Sequence, residues 1–320
     1  MTAVTKLTRN TFSEKPSISE PKRPGLGRKS KSAWGYLFLL PWLIGFFGLT
    51  VLPMLASLYF SFTNYNMLQS AKWTGFKNYF QLFSDPRYLQ TLKVTGIYVV
   101  LAVPLELAAA LGLALLLNNR LKGMNLLRAV YYLPSLLGGS VAIAVLWREM
   151  FGTGGLALQL LTAIGIKLPS LIASPSTSLY TLILLQVWQF GSPMVIFVAG
   201  LRQIPADIYD AAVLDGAGRG AIFRRITLPL LTPVIFFNLV LRIITSFQIF
   251  TPAFIISDGS GGPTDSTLVY SLYMYQQGFT NLKMGYASAM AWVLLLIVGS
   301  VTALNFALSK HWVFYNDVEG

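Results

Sequence analysis

Between Lys31 and Lys72 the chain carries no charged residue at all. A run of that kind dictates the solvent, because about 20 apolar residues in a helix are enough to cross ~30 Å of hydrocarbon. Further charge-poor windows follow at Val94–Asn119 (one acid, Glu106), Ala129–Trp147, Leu168–Leu201, Ile226–Ser257 (one base, Arg242) and Met284–Ser309. Backbone groups in lipid have no water to bond to, so such spans satisfy themselves as helices. The pattern predicts an all-α integral membrane protein with six transmembrane helices, at 35–60, 93–118, 127–148, 179–201, 230–255 and 285–309. A seventh apolar stretch, Phe151–Ile166, is short and contains Gly152, Gly154 and Gly155. It reads as a short helix lying on the outer surface, with a re-entrant segment as the alternative.

Composition agrees and excludes much else. Of 320 residues, 54% are hydrophobic and only 11% charged, against about a quarter charged in an ordinary soluble domain. There is no cysteine and one histidine, His311, near the end of the chain. Disulfides, thiolate chemistry and cysteine-ligated metals are excluded, and general-base catalysis has little material. No metal site is expected. A net charge of +12 suggests nucleic acid, but the bases gather on loops between apolar spans instead of on one face of a soluble fold.

That distribution sets the orientation. The tail 1–33 alone holds Lys6, Arg9, Lys15, Lys22, Arg23, Arg28, Lys29 and Lys31. With this end inside, Arg120, Lys122, Arg128, Arg202, Arg219, Arg224, Arg225 and Lys310 also fall inside, and Lys72, Lys77, Arg87, Lys93, Arg148, Lys167 and Lys283 outside. The positive-inside rule then places both termini in the cytoplasm. The domain plan is a disordered basic tail over 1–33, a transmembrane domain over 34–312 with a cytoplasmic loop at 202–229, and a short cytoplasmic end at 313–320. Serine, proline and lysine in place of aromatics argue for a disordered tail. No small-residue cleavage site follows the first span, so that helix stays as an anchor.

The loop after the fourth span reads "RQIPADIYDAAVLDGAGRGAIFRRITLPLLTP". Pro205 suits a first helical turn, Asp207 faces the positive end of the helix dipole, and Gly216 suits the left-handed position that ends a helix. The product is a cytoplasmic helix of about ten residues, roughly 15 Å long. Ile204, Ile208, Ala211, Ala212 and Asp215 share one side by spacing. A passive connector satisfies the same pattern. A phosphate-binding glycine loop does not, since no strand precedes "DGAGRG" and no lysine follows it.

This stretch, in particular "DAAVLDGAGRGAIFRRITLPLLTP", resembles the cytoplasmic EAA-type loop of binding-protein-dependent ABC importer permeases. The likeness is closest to the carbohydrate branch, the maltose and glycerol-3-phosphate permease type. "WTGFKNYFQLFSDP" (73–86), "LLRAVYYLPSLLGGSVAIAVLW" (126–147) and "GGPTDSTLVYSLYMYQQGFTNLKMGYASAMAW" (261–292) resemble other parts of the same family in the same order. The resemblance implies the type I importer permease fold and a loop helix that docks into a separate ATPase subunit. The positions carried over are Asp210, Ala211, Ala212, Asp215, Gly216 and Ala217. Asp210 stands where the family usually has Glu, one methylene shorter. The resemblance further implies a second homologous permease, two ATPase subunits that use ATP and Mg, and an external solute-binding protein docking on 61–92 and 256–284. The chain itself is then a non-catalytic subunit in contact with lipid, with no cofactor and no nucleic acid.

For the solute path, Asn238, Arg242, Thr245 and Ser246 form a polar stripe on the fifth helix. Gln186 and Gln189 flank Trp188 on the fourth. Hydroxyls of a sugar need donors and acceptors, and its ring faces pack on aromatic planes. The same residues also suit helix–helix hydrogen bonding. A buried charge needs a partner: Arg242 either pairs with Glu106 and is structural, or meets an anionic solute. Pro229 and Pro233 open the fifth helix. The rivals are an ion-coupled secondary transporter or channel subunit, which lacks a visible repeat or an intramembrane Asp, and a membrane enzyme, which lacks a catalytic constellation.

Overall fold

The computed structural model of the protein describes residues 30–118, 123–165 and 170–314. Most of the expected tail and residues 315–320 of the expected C-terminal segment lie outside them. Among the described residues the architecture is helical, with an isolated antiparallel bridge between Thr63 and Trp73.

The chain divides into two compact units at Met54 and Leu55. The first contains α1 (Ser30–Phe46), a π-helical turn (Phe47–Val51) and the start of α2 (Leu52–Ser61). Phe38, Trp42 and Leu49 are exposed, and Trp42 stacks on Phe46 at 5.2 Å. Side chains of this kind suit hydrocarbon, and Phe38–Ser61 is long and apolar enough to span it.

The second unit holds α3 (Lys77–Ser84), α4 (Pro86–Leu117), α5 (Met124–Leu137), α6 (Val141–Phe151) and α7 (Leu156–Ala163). It continues with α8 (Ser178–Trp188), α9 (Gly191–Gln203), α10 (Ala206–Leu214) and α11 (Arg219–Ile222). The remaining helices are α12 (Leu228–Phe247), α13 (Thr251–Ile256), α14 (Tyr270–Tyr275) and α15 (Met284–Ser309). At the centre stands α4, packed against α8, α9 and α12. Its buried stripe runs Val94, Tyr98, Ala102, Glu106, Ala110 and Ala114, one residue every four, which keeps them on one face. Alanines there let neighbouring backbones come close, the usual basis of helix association in lipid.

By length and composition the described residues hold five membrane-crossing helices, or six if α8 and α9 form one bent span. Several expected boundaries move. The second crossing begins at Pro86, because Asp85 caps it and Pro86 opens it. The third, expected at 127–148, is broken into α5 and α6 at 138–140, where the Ser140 side chain accepts from the Ile143 amide at 3.3 Å and starts a new helix. Two glycines at 138–139 favour the break. The segment long enough to cross is instead Val141–Ala163, so the expected surface helix at 151–166 becomes α7 at its end.

The fourth crossing bends by 41° between α8 and α9. Ser135 of α5 holds this bend: its hydroxyl donates to the Gln189 carbonyl at 2.6 Å and accepts from the Ser192 amide at 2.8 Å. The fifth, expected at 230–255, runs over Arg219–Phe247 and stops before α13. A π-helical turn over Phe223–Thr227 leads into Pro229. Pro233 lies inside α12 rather than at its start, and it cannot bond the Pro229 carbonyl. The Thr232 hydroxyl does so instead, at 2.6 Å. The sixth crossing, α15, matches its expected bounds within one residue.

At the α8–α9 bend a Cβ on Gly191 would lie 2.7 Å from the Tyr131 carbonyl oxygen and 2.8 Å from Tyr132 Cα. Backbone cannot yield as a side chain does, so Gly191→Ala should cost about 1–3 kcal/mol through overpacking. Gly112→Ala, with nothing within 4 Å, is the control. Thermal midpoints in detergent are expected to fall for the first and hold or rise slightly for the second.

Candidate functional site

Three groups of residues carry the chemistry of this chain. The first is α10. Pro205 is its N-cap, one position before the expected first turn, and Asp207 lies in the first turn. At the other end Gly216 has φ +77°, its amide bonds Val213 O at 3.0 Å, and the Ala217 amide bonds Ala212 O at 2.9 Å. These two bonds together are the Schellman stop, which needs a residue without a Cβ penalty in the left-handed region. Tyr209 and Ala212 turn inward, and the Tyr209 hydroxyl shares a 3.2 Å hydrogen bond with that of Thr227. The expected common face is therefore split. Ala212 is buried, while Ile208, Ala211 and Asp215 are exposed together with Asp210 and Gly216. Val213 and Leu214 project furthest, at 61% and 87% exposure.

The second group is a polar chain inside the bundle. The Tyr98 hydroxyl donates to Gln186 Oε1 at 3.1 Å, and Gln186 Nε2 donates to Glu106 Oε2 at 2.7 Å. Arg242 Nη1 stands 3.3 Å from Glu106 Oε1. Three helices, α4, α8 and α12, thus meet on one buried carboxylate. Arg242 pairs within the chain, and Gln186 spends both ends of its amide there. The rest of the expected solute stripe is less bound up. Asn238 bonds its own helix at Val234 O, and Thr245, exposed, bonds Leu241 O. Ser246 is buried with its hydroxyl unpaired among the described residues. Gln189 is the C-cap of α8, at the bend, and not one turn along a continuous helix from Gln186. Trp188 packs on Trp147 at 5.9 Å.

A neighbouring groove of about 660 Å³ includes Gln248, Phe250, Ser271, Tyr275 and Phe279. Phe250 and Phe279 lie 5.2 and 5.3 Å from the Tyr275 ring. Sequence reasoning passed over these residues, although "SFQIF" at 246–250 carries the same amide-between-rings signal that singled out Gln189.

The third group centres on Asp85, at the head of α4. Its Oδ1 accepts from the Arg87 and Tyr88 amides at 3.0 and 3.4 Å, and its Oδ2 from the Tyr273 and Tyr286 hydroxyls at 2.6 and 2.8 Å. Burial by itself would raise this carboxyl, but the two phenols and two amides outweigh it and hold the group below its usual range. Arg87 forms a bidentate pair with Asp265 at 2.9 and 2.6 Å, and Arg148 pairs with Asp258. Two arginines therefore anchor the segment between α13 and α14. In it Asp258, Thr264 and Asp265 all sit at positive φ. The dipeptide Asp-Pro before a long apolar run was the available signal for Asp85.

The described residues thus form a bundle of membrane-spanning helices, one of them bent, with a short Schellman-stopped helix packed on it through Ala212 and Tyr209. Residues 97–313 match the family model described as "Binding-protein-dependent transport system inner membrane component", and the chain belongs to that family. It is 52% identical over 287 residues to the probable ABC transporter permease protein YesP of Bacillus subtilis (strain 168), covering 89% of this chain and 93% of that one. With the lactose transport system permease protein LacF of Rhizobium radiobacter it shares 33% identity over 283 residues, 87% and 94% of the two chains. Its fold is similar to that of a chain in the crystal structure of a bacterial alginate ABC transporter in complex with an alginate pentasaccharide-bound periplasmic protein. There the TM-score is 0.76 at 22% identity, covering 89% of this chain and 97% of the other. Family membership displaces the secondary-transporter, channel and enzyme readings, and the chain is a multi-pass membrane protein.

Removing one partner of a buried ion pair leaves the other uncompensated, at a cost of about 3–5 kcal/mol. Glu106→Gln and Arg242→Gln are each expected to lower the thermal midpoint sharply, and the double variant to regain most of the loss. Size-exclusion chromatography after a temperature series measures all three.

Proposed function

We propose that this chain is one of two permease subunits of an ATP-driven importer that carries a saccharide into the cytoplasm. Both termini and α10 face the cytoplasm, as the lysine and arginine distribution favours. Two ATPase subunits bind ATP and Mg, hydrolyse the nucleotide and grip α10. An external solute-binding protein docks on the opposite face. This chain holds no catalytic role and serves as the moving wall.

The observation that carries the reading is α10 itself. A helix stopped by a Schellman turn is rigid at the end where it is pushed, and Leu214 and Val213 offer apolar surface that none of the described residues covers. Asp210 and Asp215 beside them suit a basic partner, arginine giving the best paired geometry. Ala211, Gly216 and Ala217 are small enough for close approach of another backbone.

For the solute, LacF is named for lactose and the similar solved structure for alginate, so a saccharide is the class supported. Within the chain the favoured contacts are Trp188, Gln189, Asn238, Thr245 and Ser246. The unpaired Ser246 hydroxyl is a donor in want of an acceptor. Arg242 and Gln186 are engaged with Glu106, which favours a neutral solute at this depth and gives these two residues a supporting role beside the path.

Two variants test the handle. Leu214→Glu loses little packing among the described residues, yet uptake should fall by on the order of tenfold, equivalent to ~1.4 kcal/mol at the subunit contact. Gly216→Val forces a β-branched residue to positive φ, at about 1–3 kcal/mol of strain. It should leave membrane insertion intact while uncoupling ATP turnover from uptake. Normal uptake in both variants, at normal membrane levels, would falsify the coupling role.

A further inference from the structure

A second cavity, of about 410 Å³, opens between α3, α14 and the start of α15, well apart from the Glu106 chain. Gln81, Asp85, Tyr273, Gln277, Lys283 and Tyr286 line it. Its size falls within the ~300–1,000 Å³ common for small-molecule sites. Unlike the groove beside Gln248, its wall is mainly polar.

Much of that wall is fixed. Asp85 accepts four hydrogen bonds and is fully engaged, which spends the protons of Tyr273 and Tyr286 but leaves lone pairs on both phenol oxygens. The Lys283 amide bonds Gln277 O at 2.8 Å, tying the base of α15 to the π-helical turn Gln276–Thr280. Gln277 is the anomaly. It is only 6% exposed, and its Oε1 has no hydrogen-bond partner among the described residues. A buried carbonyl oxygen left unpaired carries its full desolvation penalty, and a bound donor would relieve it.

The remaining chemistry selects the donor. One carboxylate and one ammonium (Asp85, Lys283) balance, so neither an anion nor a cation is favoured. Gln277 Oε1 and the phenol oxygens accept, while the Lys283 ammonium and the Gln81 amide donate. Hydroxyl groups both give and take hydrogen bonds, so a polyhydroxylated solute can answer donors and acceptors together along a mainly polar wall. We propose that this pocket binds a neutral saccharide on the outer face, holding the solute between its release by the binding protein and its entry among the helices. The inference rests on the reading above for the side of the membrane and the class of solute.

The test uses the assembled importer in lipid nanodiscs. Lys283 is exposed, so its acylation by an amine-reactive ester, followed by peptide mass spectrometry, reports occupancy. Lactose and maltotriose serve as probes, with and without the external binding protein, and uptake of each is measured in parallel vesicles. A bound saccharide at twice its Kd should slow labelling about threefold without the binding protein present. Gln277→Leu should abolish that protection and raise the KM of uptake at unchanged maximal ATP turnover. Should Gln277→Leu fail to assemble, Gln81→Ala decides alone, its exposed side chain carrying no folding burden; it should weaken protection too. Import of a probe that leaves Lys283 labelling untouched overturns the pocket assignment while the importer reading stands. Protection by the sugar-free binding protein and by neither probe also overturns it, in favour of a docking contact. Absence of any saccharide uptake is read separately in the vesicles and removes both.

Discussion

A carboxylate buried in a helix bundle that lies in lipid has to be answered from within the protein, and Glu106 is answered from two directions. Gln186 reaches it from α8 and Arg242 from α12. The cost of an unpaired charge at that depth is what forces the three helices into one register. The alanines on either side, Ala102 and Ala110, then let the backbones close around the pair. Lipid offers no hydrophobic force between helices, so this polar clasp and the small-residue stripe supply the specificity that an apolar core supplies in a soluble domain.

Held in that way, the bundle tolerates irregular backbone where a free helix in lipid would not. The bend between α8 and α9 leaves the Gln189 carbonyl without its regular partner, and Ser135 supplies one from α5. Pro233 leaves the Pro229 carbonyl free, and Thr232 takes it up. Non-helical backbone at membrane depth survives only where protein covers it, and both repairs come from hydroxyls within reach. Trp188, Gln189 and Ser246 lie close in sequence to such interruptions, at the ends of α8 and α12, where polar side chains escape the demands of a regular helix.

The two ends of the molecule are built on opposite terms. On one, α10 is capped and stopped by its own backbone and shows uncovered leucine and valine. On the other, Asp85, Tyr273 and Tyr286 tie the head of α4 to α14 and α15, and Arg87 and Arg148 hold a segment with three non-glycine residues at positive φ. Strain of that kind persists only where surroundings over-determine it. The α10 side thus presents uncovered apolar surface, and the Asp85 side a polar one held in a defined shape.

Much of this was legible beforehand. Charge-free runs announced a membrane bundle, and Pro205, Asp207 and Gly216 announced α10 to within a residue, because caps and hydropathy are local properties that neighbouring residues decide among themselves. The misplacements have a common cause. Helices were expected to run as far as their apolar windows, yet Ser140 starts a new helix inside one and Gln189 ends another, and hydropathy is blind to both. The face of α10 was misjudged for a related reason: Ala212 is buried by its packing, which spacing alone does not reveal. Above all, sequence left open whether Arg242 faces Glu106 or a solute, since 136 positions separate the two residues along the chain. Sequence determined that two charges would have to be satisfied inside the bundle. Only the packing of α4 against α12 decided that they satisfy each other, because distance in space, and not along the chain, sets the energy of an ion pair.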